Sequence, residues 1–247
     1  HKYFFHTMLI GNPGTGKTTV ARILAKLFKA LSILERGHLV ETDRQGLIAG
    51  FVGQTAIKTT EKIDEAVGGV LFIDEAYALG GASFNDFGNE AIQVLLKRME
   101  DDRGKFFVFA AGYPDNMDTF IKSNPGLSSR FDKTMKFYDY NPDELMQISK
   151  KMLADNNFRI SEKAAQHLTN YIEFIYQYRD KYFGNARTIR LIVDEIIKKH
   201  NLRMVKEAIV VIGKKKVNII SIDDVSFLKL KSEDLVFTRK KIGFNGH

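Results

Sequence analysis

Residues 11–18, with the sequence Gly-Asn-Pro-Gly-Thr-Gly-Lys-Thr, match the phosphate-binding loop pattern G-x-x-x-x-G-K-S/T at every fixed position. The apolar run Thr7–Ile10 before them is typical of a buried strand, and the apolar periodicity of Val20–Leu31 after them is typical of a helix. A loop between a strand and a helix can turn its backbone N–H groups towards phosphate oxygens at the positive end of the helix. This feature therefore predicts an α/β fold that binds a phosphorylated ligand.

The loop pattern assigns a role to each of its side chains. We expect Lys17 to reach the β- and γ-phosphates, Thr18 to ligate Mg²⁺, and Thr19 to approach the α-phosphate. The remaining positions form the backbone cradle: Gly11, Asn12, Pro13, Gly14, Thr15 and Gly16. A glycine-rich turn that matches by chance is the alternative, and the flanking strand and helix patterns disfavour it.

The composition is that of a globular protein. The chain has 247 residues, of which 44% are hydrophobic and 27% are charged. No apolar run reaches the roughly 18–20 residues that a membrane-spanning helix needs, and His1–Ile10 leads straight into the loop without the pattern of a secretory signal. Because cysteine is absent, disulfides and thiolate metal sites are excluded. We therefore expect a cytoplasmic protein without membrane insertion.

The net charge is +7, and much of the excess lies late in the chain, at Lys214–Lys216 and between Lys229 and Lys241. A nucleic acid or another anionic partner is one interpretation, and a solvated basic face is the other. No aromatic interleaving or nucleic-acid motif accompanies these charges, so the solvated face is favoured and nucleic acid is not an expected partner.

The first half of the chain alternates apolar runs with helical segments, which predicts a doubly wound parallel α/β sheet. Its five strand candidates are Thr7–Ile10, His38–Thr42, Gly69–Ile73, Phe106–Ala111 and Lys133–Phe137. Helical spacing then dominates, in Asp143–Asn156, Ser161–Tyr178 and Ala186–Lys206. A short hairpin of Ile209–Ile212 and Val217–Ile220, and a last short helix after Ser221, are predicted to follow.

Two carboxylates, Asp74 and Glu75, end the apolar run Val70–Ile73. We expect Asp74 to hold the Mg²⁺ shell, usually through water, and Glu75 to polarise the water that attacks the γ-phosphate. Capping of the next helix is the alternative for such a pair, and the phosphate-binding loop upstream favours the catalytic role.

With these elements identified, the chain resembles the AAA+ ATPases. It is most similar to the branch that contains red-type Rubisco activases, stage V sporulation protein K-like ATPases and the ATPases of type VII secretion. The stretches Gly11–Arg22, Gly68–Ala78 and Gly184–Arg187 carry the likeness, which extends from Leu9 to about Asp224. It implies a P-loop NTPase domain at 1–139, a helical lid at 140–232 and a basic C-terminal tail at 233–247. It also implies ATP and Mg²⁺ as ligands and a homo-oligomeric ring, most often a hexamer.

The resemblance implies two loops that line the pore of such a ring. Phe51, Val52 and Gly53 fit the aromatic–hydrophobic–glycine loop that grips an extended polypeptide, and an apolar turn is the alternative. The segment 83–88 fits a second pore loop, with helix capping by Asp86 or Asn89 as the alternative.

The resemblance also places two arginines and a tyrosine at the nucleotide. Arg130 corresponds to the arginine finger that reaches the neighbouring subunit's γ-phosphate. Arg187 corresponds to the sensor that contacts the γ-phosphate from the lid, with Arg190 as the alternative. Tyr113 stands where many AAA+ proteins have an Asn that orients the attacking water. Whether its hydroxyl takes that role or its ring only packs is left open.

The adenine pocket is the incomplete part of the predicted site. AAA+ proteins build part of that pocket from residues upstream of the first strand, and only ten residues precede Gly11 here. We therefore expect this chain to be part of a longer polypeptide and to hold adenine weakly.

The predicted function is an ATP-hydrolysing remodelling motor that acts on a protein client, which the sequence does not identify. A nucleotide-gated scaffold with little hydrolysis, and a DNA-acting ATPase such as a loader, are the alternatives.

Overall fold

The structure is a computed structural model, and it describes residues 5–51, 53–80, 87–208 and 218–230. The chain divides into two compact units. The first comprises the residues up to Asn12 together with Gly16–Tyr138, and the second comprises Pro13–Thr15 together with the residues from Asp139 onwards. The phosphate-binding loop therefore contributes residues to both units. The predicted basic tail at 233–247 lies outside the described residues.

A five-stranded sheet of order β2-β3-β4-β1-β5 forms the centre of the first unit, and all its neighbouring strands are parallel. Its strands are β1 Thr7–Gly11, β2 Leu39–Thr42, β3 Val70–Ile73, β4 Phe107–Gly112 and β5 Lys133–Phe137. Each strand overlaps the apolar run predicted for it, to within one residue at either end. The prediction of a doubly wound parallel sheet is confirmed.

Helices cover both faces of this sheet. They are α1 Lys17–Ala30, α2 Arg44–Leu47, α3 Gln54–Ala66, α4 Gly88–Asp101, α5 Pro114–Lys122 and α6 Pro125–Arg130, with a 3₁₀ turn at Ala76–Leu79. Alternate residues of β3 enter opposite apolar clusters, Leu71 and Ile73 on one face and Val70 and Phe72 on the other. Burial on both faces explains why β3 has an uninterrupted apolar sequence.

The strand order decides what meets at the carboxyl edge of the sheet. Since β1, β4 and β3 are consecutive neighbours and all parallel, the segments that follow them leave the sheet side by side. These segments carry the phosphate-binding loop, Tyr113 and the Asp74–Glu75 pair, respectively. The topology therefore brings three separately predicted elements to one edge.

The entry to β1 is anchored by a buried histidine. His6 is 3% exposed, and its Nδ1 accepts a hydrogen bond from the backbone N–H of Val108 in β4 at 3.0 Å. Its ring packs edge-on against Phe107. Burial lowers the pKa of His6 to about 4, so the ring is neutral at ordinary pH and its Nδ1 is free to accept.

The second unit is mainly helical, as its sequence predicts. Its elements are α7 Pro142–Asp155, β6 Arg159–Ile160, α8 Glu162–Gln177, α9 Ala186–Ala208, β7 Ile219–Ile220 and α10 Ile222–Val225. A capping box of Asn141 and Glu144 starts α7, with Pro142 in its first turn. Strand β7 pairs in parallel with β6, and the rest of the hairpin predicted at 209–220 lies almost wholly outside the described residues.

A buried ionic cluster joins α9 to α10 in this unit. The carboxylate of Asp224 accepts hydrogen bonds from Arg203 Nε at 2.8 Å and from the Ser221 N–H at 2.8 Å, and it contacts His200 Nδ1 at 3.0 Å. Burial raises the pKa of Asp224, but these bonds outweigh that effect and lower it to about 2. Within the ranges that the structure describes, no helix is long and apolar enough to cross a membrane.

Candidate functional site

The phosphate-binding loop begins where β1 ends. Gly11 is the last residue of β1, and Gly16 precedes α1 in the left-handed region, with φ 91°. Lys17 is the first residue of α1, and its Nζ donates to the carbonyl oxygens of Gly11 and Asn12, each at 2.8 Å. The ammonium therefore lies against the loop that it is predicted to serve, at the N-terminus of a helix of 14 residues.

The middle of the loop is bonded inside the second unit. The carbonyl oxygen of Gly14 accepts from the Ala186 N–H at 3.2 Å, and that of Thr15 accepts from the Tyr140 hydroxyl at 3.1 Å. These bonds use carbonyl oxygens of the loop, whereas phosphate oxygens bind backbone N–H groups.

Gly14 meets two independent requirements for glycine. Its φ is 71°, a left-handed conformation that side chains other than glycine rarely adopt. A Cβ at this position would also collide with the carbonyl oxygen of Gly184 and lie 2.7 Å from the backbone nitrogen of Arg187. Both neighbours are backbone atoms of the motif Gly184–Arg187, so Gly14 is glycine partly because that backbone lies so close.

Asn185 is a site residue that the sequence did not single out. It is fully buried and has φ 47°. Its Oδ1 accepts from the Tyr140 N–H at 2.9 Å, and its Nδ2 donates to Asp139 Oδ1 at 2.8 Å and to the Pro13 oxygen at 3.4 Å. The available signal was an Asn between Gly and Ala, because Asn tolerates left-handed angles better than other side chains. The motif drew attention to Arg187 instead.

A cavity of about 400 Å³ lies beside the start of α1. Its wall includes Thr18, Asp74 and Asp43, together with Glu41 and Thr42. The two residues predicted to hold the metal therefore face one space. Among the described residues, at this cavity and elsewhere, no group of three His, Asp or Glu side chains could hold a metal ion without other ligands. Mg²⁺ fits this arrangement, because it usually takes one or two protein oxygens and completes its shell with water and phosphate.

The acidic pair occupies an unusual stretch of backbone. The Asp74 N–H continues the sheet by donating to the Thr42 oxygen at 2.8 Å. Glu75 then turns to φ 48° and ψ 45°, and its N–H donates to Asp74 Oδ1 at 3.1 Å. Both side chains are exposed. A left-handed non-glycine residue is held in place only where its surroundings require it, and such residues are frequent at functional sites.

Two tyrosines accompany Glu75. The Tyr77 ring centroid lies 6.3 Å from that of Tyr113. Burial and the neighbouring negative charge of Glu75 raise the pKa of Tyr77 to about 12. Tyr113 immediately precedes α5, and the structure places it in ring contact with Tyr77.

Arg130, the predicted arginine finger, ends α6 and contacts its own unit. Its Nη1 donates to the Gly126 oxygen at 3.3 Å, and its Nη2 lies 3.5 Å from Glu100 Oε2. Its Nε is buried and has no hydrogen-bond partner among the described residues. A side chain that is 27% exposed and held by long contacts is only loosely fixed. In the second unit, Arg187 and Arg190 are both exposed in the first turns of α9.

The predicted pore loop is partly described. Phe51 is 72% exposed, which is high for a large apolar side chain. Gly53 precedes α3. The Ala49 N–H donates to Thr55 Oγ1 at 3.0 Å, which links the first turn of α3 to the segment before the loop. Val52, and residues 83–86 of the second loop predicted at 83–88, lie outside the described residues.

Two families match the chain. Residues 7–138 match the family described as "ATPase family associated with various cellular activities (AAA)", and residues 141–237 match the AAA lid domain.

The chain is similar to curated proteins of the branch that its sequence indicated. It is 41% identical over 204 residues to stage V sporulation protein K of Bacillus subtilis (strain 168), covering 82% of this chain and 63% of that protein. It is 40% identical over 235 residues to the chromosomal protein CbxX of Cupriavidus necator, covering 95% and 70%. It is 39% identical over 227 residues to the chloroplastic ribulose bisphosphate carboxylase/oxygenase activase of Cyanidioschyzon merolae, covering 91% and 75%. The chain thus spans less than two thirds of the length of the first of these.

Solved structures show the same fold. The FIGL-1 AAA domain in complex with ADP has a TM-score of 0.63 at 19% identity, covering 93% of this chain and 74% of that one. The Thermotoga maritima RuvB Holliday junction branch migration motor has a TM-score of 0.61 at 21% identity, covering 90% and 60%. At these identities the likeness concerns the fold alone.

Proposed function

Because the chain belongs to the AAA family of ATPases, we propose that it binds ATP with Mg²⁺, hydrolyses the ATP and uses the reaction to remodel a protein client. The observation that carries the proposal is that Thr18 and Asp74 line one cavity, with Glu75 next along the chain. This arrangement gives phosphate binding, metal binding and water activation to different groups, which hydrolysis requires and simple binding does not.

The loop residues supply the binding part of this proposal. The N–H groups of residues 11–16 and the positive end of α1 attract phosphate oxygens, and Lys17 adds a full charge. Thr18 and Asp74 would hold Mg²⁺, which neutralises charge on the phosphate oxygens when it is bound. Thr19, one residue further along α1, would approach the α-phosphate.

Glu75 has the role of the base that polarises the attacking water. Its carboxylate is exposed, so a water molecule can reach it, and it is a separate group from Asp74. Tyr113 contacts the ring of Tyr77, which is two residues after Glu75. Arg187 would contact the γ-phosphate and so couple the lid to the nucleotide state.

Assembly into a homo-oligomeric ring, with a hexamer as the expected form, would give Arg130 its function. We propose that Arg130 leaves Glu100 and reaches the γ-phosphate of a neighbouring subunit. The long 3.5 Å contact with Glu100 supports this, since an exposed ion pair of such geometry contributes little stability and is easily exchanged.

The client is proposed to be an extended polypeptide that Phe51, Val52 and Gly53 contact in the centre of the ring. The 72% exposure of Phe51 supports this, because an exposed aromatic can pack against a chain of any sequence.

The proposal keeps the division into an ATPase domain at 1–139, a lid at 140–232 and a basic tail at 233–247, in a protein of the cytoplasm.

ATP turnover at several protein concentrations tests this function. The full chain should release phosphate, Glu75→Gln should abolish release while retaining ATP binding, and Arg130→Ala should lower turnover most at concentrations where subunits associate. Turnover that Arg130→Ala leaves unchanged at every concentration would contradict the trans-acting role.

Capture with Glu75→Gln separates the proposed client class from the alternatives. In the presence of ATP, this variant should retain a protein from the native cell extract, and a Phe51→Ala, Glu75→Gln double variant should not. Binding of ATP without phosphate release would indicate a nucleotide-gated scaffold. ATP-dependent retention of DNA that salt weakens would indicate a loader.

A further inference from the structure

Tyr140 is held in place at both its ring and its backbone within the second unit. Its ring is half-buried and packs against the apolar core of that unit, which contains Leu145 and Phe183. Its backbone N–H donates to Oδ1 of Asn185 at 2.9 Å, and Asn185 is fully buried. Because a tyrosine side chain has only two rotatable angles, these contacts give the hydroxyl of Tyr140 a defined position.

From that position the Tyr140 hydroxyl donates to the carbonyl oxygen of Thr15 at 3.1 Å. The preceding carbonyl oxygen, that of Gly14, accepts from the N–H of Ala186 at 3.2 Å. Ala186 is the first residue of α9, so its N–H has no carbonyl partner inside that helix. Two consecutive peptide groups of the phosphate-binding loop are thus each held by their carbonyl oxygen.

Holding a carbonyl group also sets the direction of an N–H group. In a planar trans peptide, the C=O of one residue and the N–H of the next point in opposite directions. The described residues contain no cis peptide bond. The bonds to the oxygens of Gly14 and Thr15 therefore direct the N–H groups of Thr15 and Gly16 towards the opposite side of the loop. These N–H groups belong to the cradle that such a loop presents to phosphate.

We infer that Tyr140 is a positioning residue for phosphate binding: its hydroxyl holds the Thr15 carbonyl and so orients the Gly16 N–H towards a phosphate oxygen. This rests on the proposed function, in which the loop binds the phosphates of ATP. In this role Tyr140 acts only through the Thr15–Gly16 peptide group. Motif spacing did not assign it a role, because Thr15 and Tyr140 are 125 residues apart in the chain.

Tyr140→Phe is the direct test, because it removes the hydroxyl and keeps the ring in the core of the second unit. We expect the dissociation constants of ATP and of tripolyphosphate, each with Mg²⁺, to rise together by roughly 3- to 10-fold. The kcat at saturating ATP should stay within about twofold, since the hydroxyl orients the binding loop and not the groups that activate water. Tyr178→Phe, which removes a hydroxyl from an exposed ring of the same unit, should change none of these values.

Amide NMR without nucleotide tests the hydrogen bond itself. A bond to a carbonyl oxygen polarises the N–H of the same peptide group, so Tyr140→Phe should shift the amide nitrogen resonance of Gly16, and Tyr178→Phe should not. An unchanged Gly16 resonance in Tyr140→Phe would overturn the positioning role. So would a lower melting temperature with unchanged tripolyphosphate affinity of the folded chain, because that result describes a contact that only stabilises the fold.

Tripolyphosphate also separates this inference from the proposed function. A parent chain that binds tripolyphosphate but releases no phosphate from ATP would overturn the ATPase function, and the positioning role would stand if Tyr140→Phe weakened that binding. A parent chain that binds neither ATP nor tripolyphosphate would overturn both.

Discussion

The Nζ atom of Lys17 lies 2.8 Å from the carbonyl oxygen of Gly11 and at the same distance from that of Asn12. A charged donor is therefore already directed over the loop that would receive phosphate. Charge-assisted hydrogen bonds are worth about 1.5–3 kcal/mol, so we expect Lys17→Ala to weaken ATP binding roughly 10- to 100-fold. Isothermal titration calorimetry measures this. Lys26→Ala, on the exposed side of the same helix, should bind ATP as the parent does.

Gly14 provides a test of the loop backbone. Gly14→Ala should remove measurable ATP binding, because alanine is strained at φ 71° and its Cβ collides with the Gly184 oxygen. Strain of this kind costs about 1–3 kcal/mol, so the melting temperature should fall as well. Gly50→Ala is the matched control, since a Cβ there has no atom within 4 Å among the described residues. Equal ATP affinity in the two variants would contradict the assignment.

His6 predicts a pH dependence of stability. Burial holds its pKa at about 4, below the ordinary value of 6.5, so the folded chain binds fewer protons than the unfolded chain between these values. The contribution of His6 is complete above pH 6.5 and is lost as the pH falls towards 4, by about 3 kcal/mol in all.

Denaturant unfolding between pH 7.5 and pH 4 measures this loss, because that window contains both pKa values. His6→Asn is the control, because its amide oxygen can accept the Val108 N–H bond and does not titrate. The parent should lose stability relative to His6→Asn as the pH falls. Parallel pH profiles for the two chains would disprove a buried neutral histidine.

Asn185 and Asn157 allow side-chain bonding to be separated from backbone strain. Both have left-handed backbones, with φ 47° and 63°, but Asn185 is buried and bonded to Tyr140 and Asp139, whereas Asn157 is exposed. We expect Asn185→Ala to lower the free energy of unfolding by about 2–4 kcal/mol, because it removes the hydrogen bonds of a fully buried amide. Asn157→Ala should lower it by about 1 kcal/mol or less. Similar losses would mean that the backbone angle alone matters.

The sheet was predictable from sequence because its strands are short apolar runs that are buried on both faces. Val70–Ile73 could be assigned from its residues alone, since a short uninterrupted apolar run is typical of a strand that is buried on both faces. The order of the strands in the sheet could not be predicted from the residues of any one strand. It depends on which strand backbones pair across long stretches of chain, such as β1 and β4, where Thr7 lies opposite Phe109.

Motif spacing predicted Thr18 and Asp74, and the structure brings both to one cavity. It did not predict Asn185, whose role comes from its bonds to oxygens of Pro13 and Asp139. Such roles arise from contacts between distant segments, which residue type and local spacing do not encode.

The place of β1 between β4 and β5 determines when the phosphate-binding loop can form during protein synthesis. The ribosome makes β1 before its two partners, Phe107–Gly112 and Lys133–Phe137, which follow it by about a hundred residues or more. Until Phe137 has left the exit tunnel, β1 has an unpaired edge and Gly11 has no fixed direction. A chain whose translation stops earlier therefore exposes an unpaired strand edge, which is prone to pair with other chains.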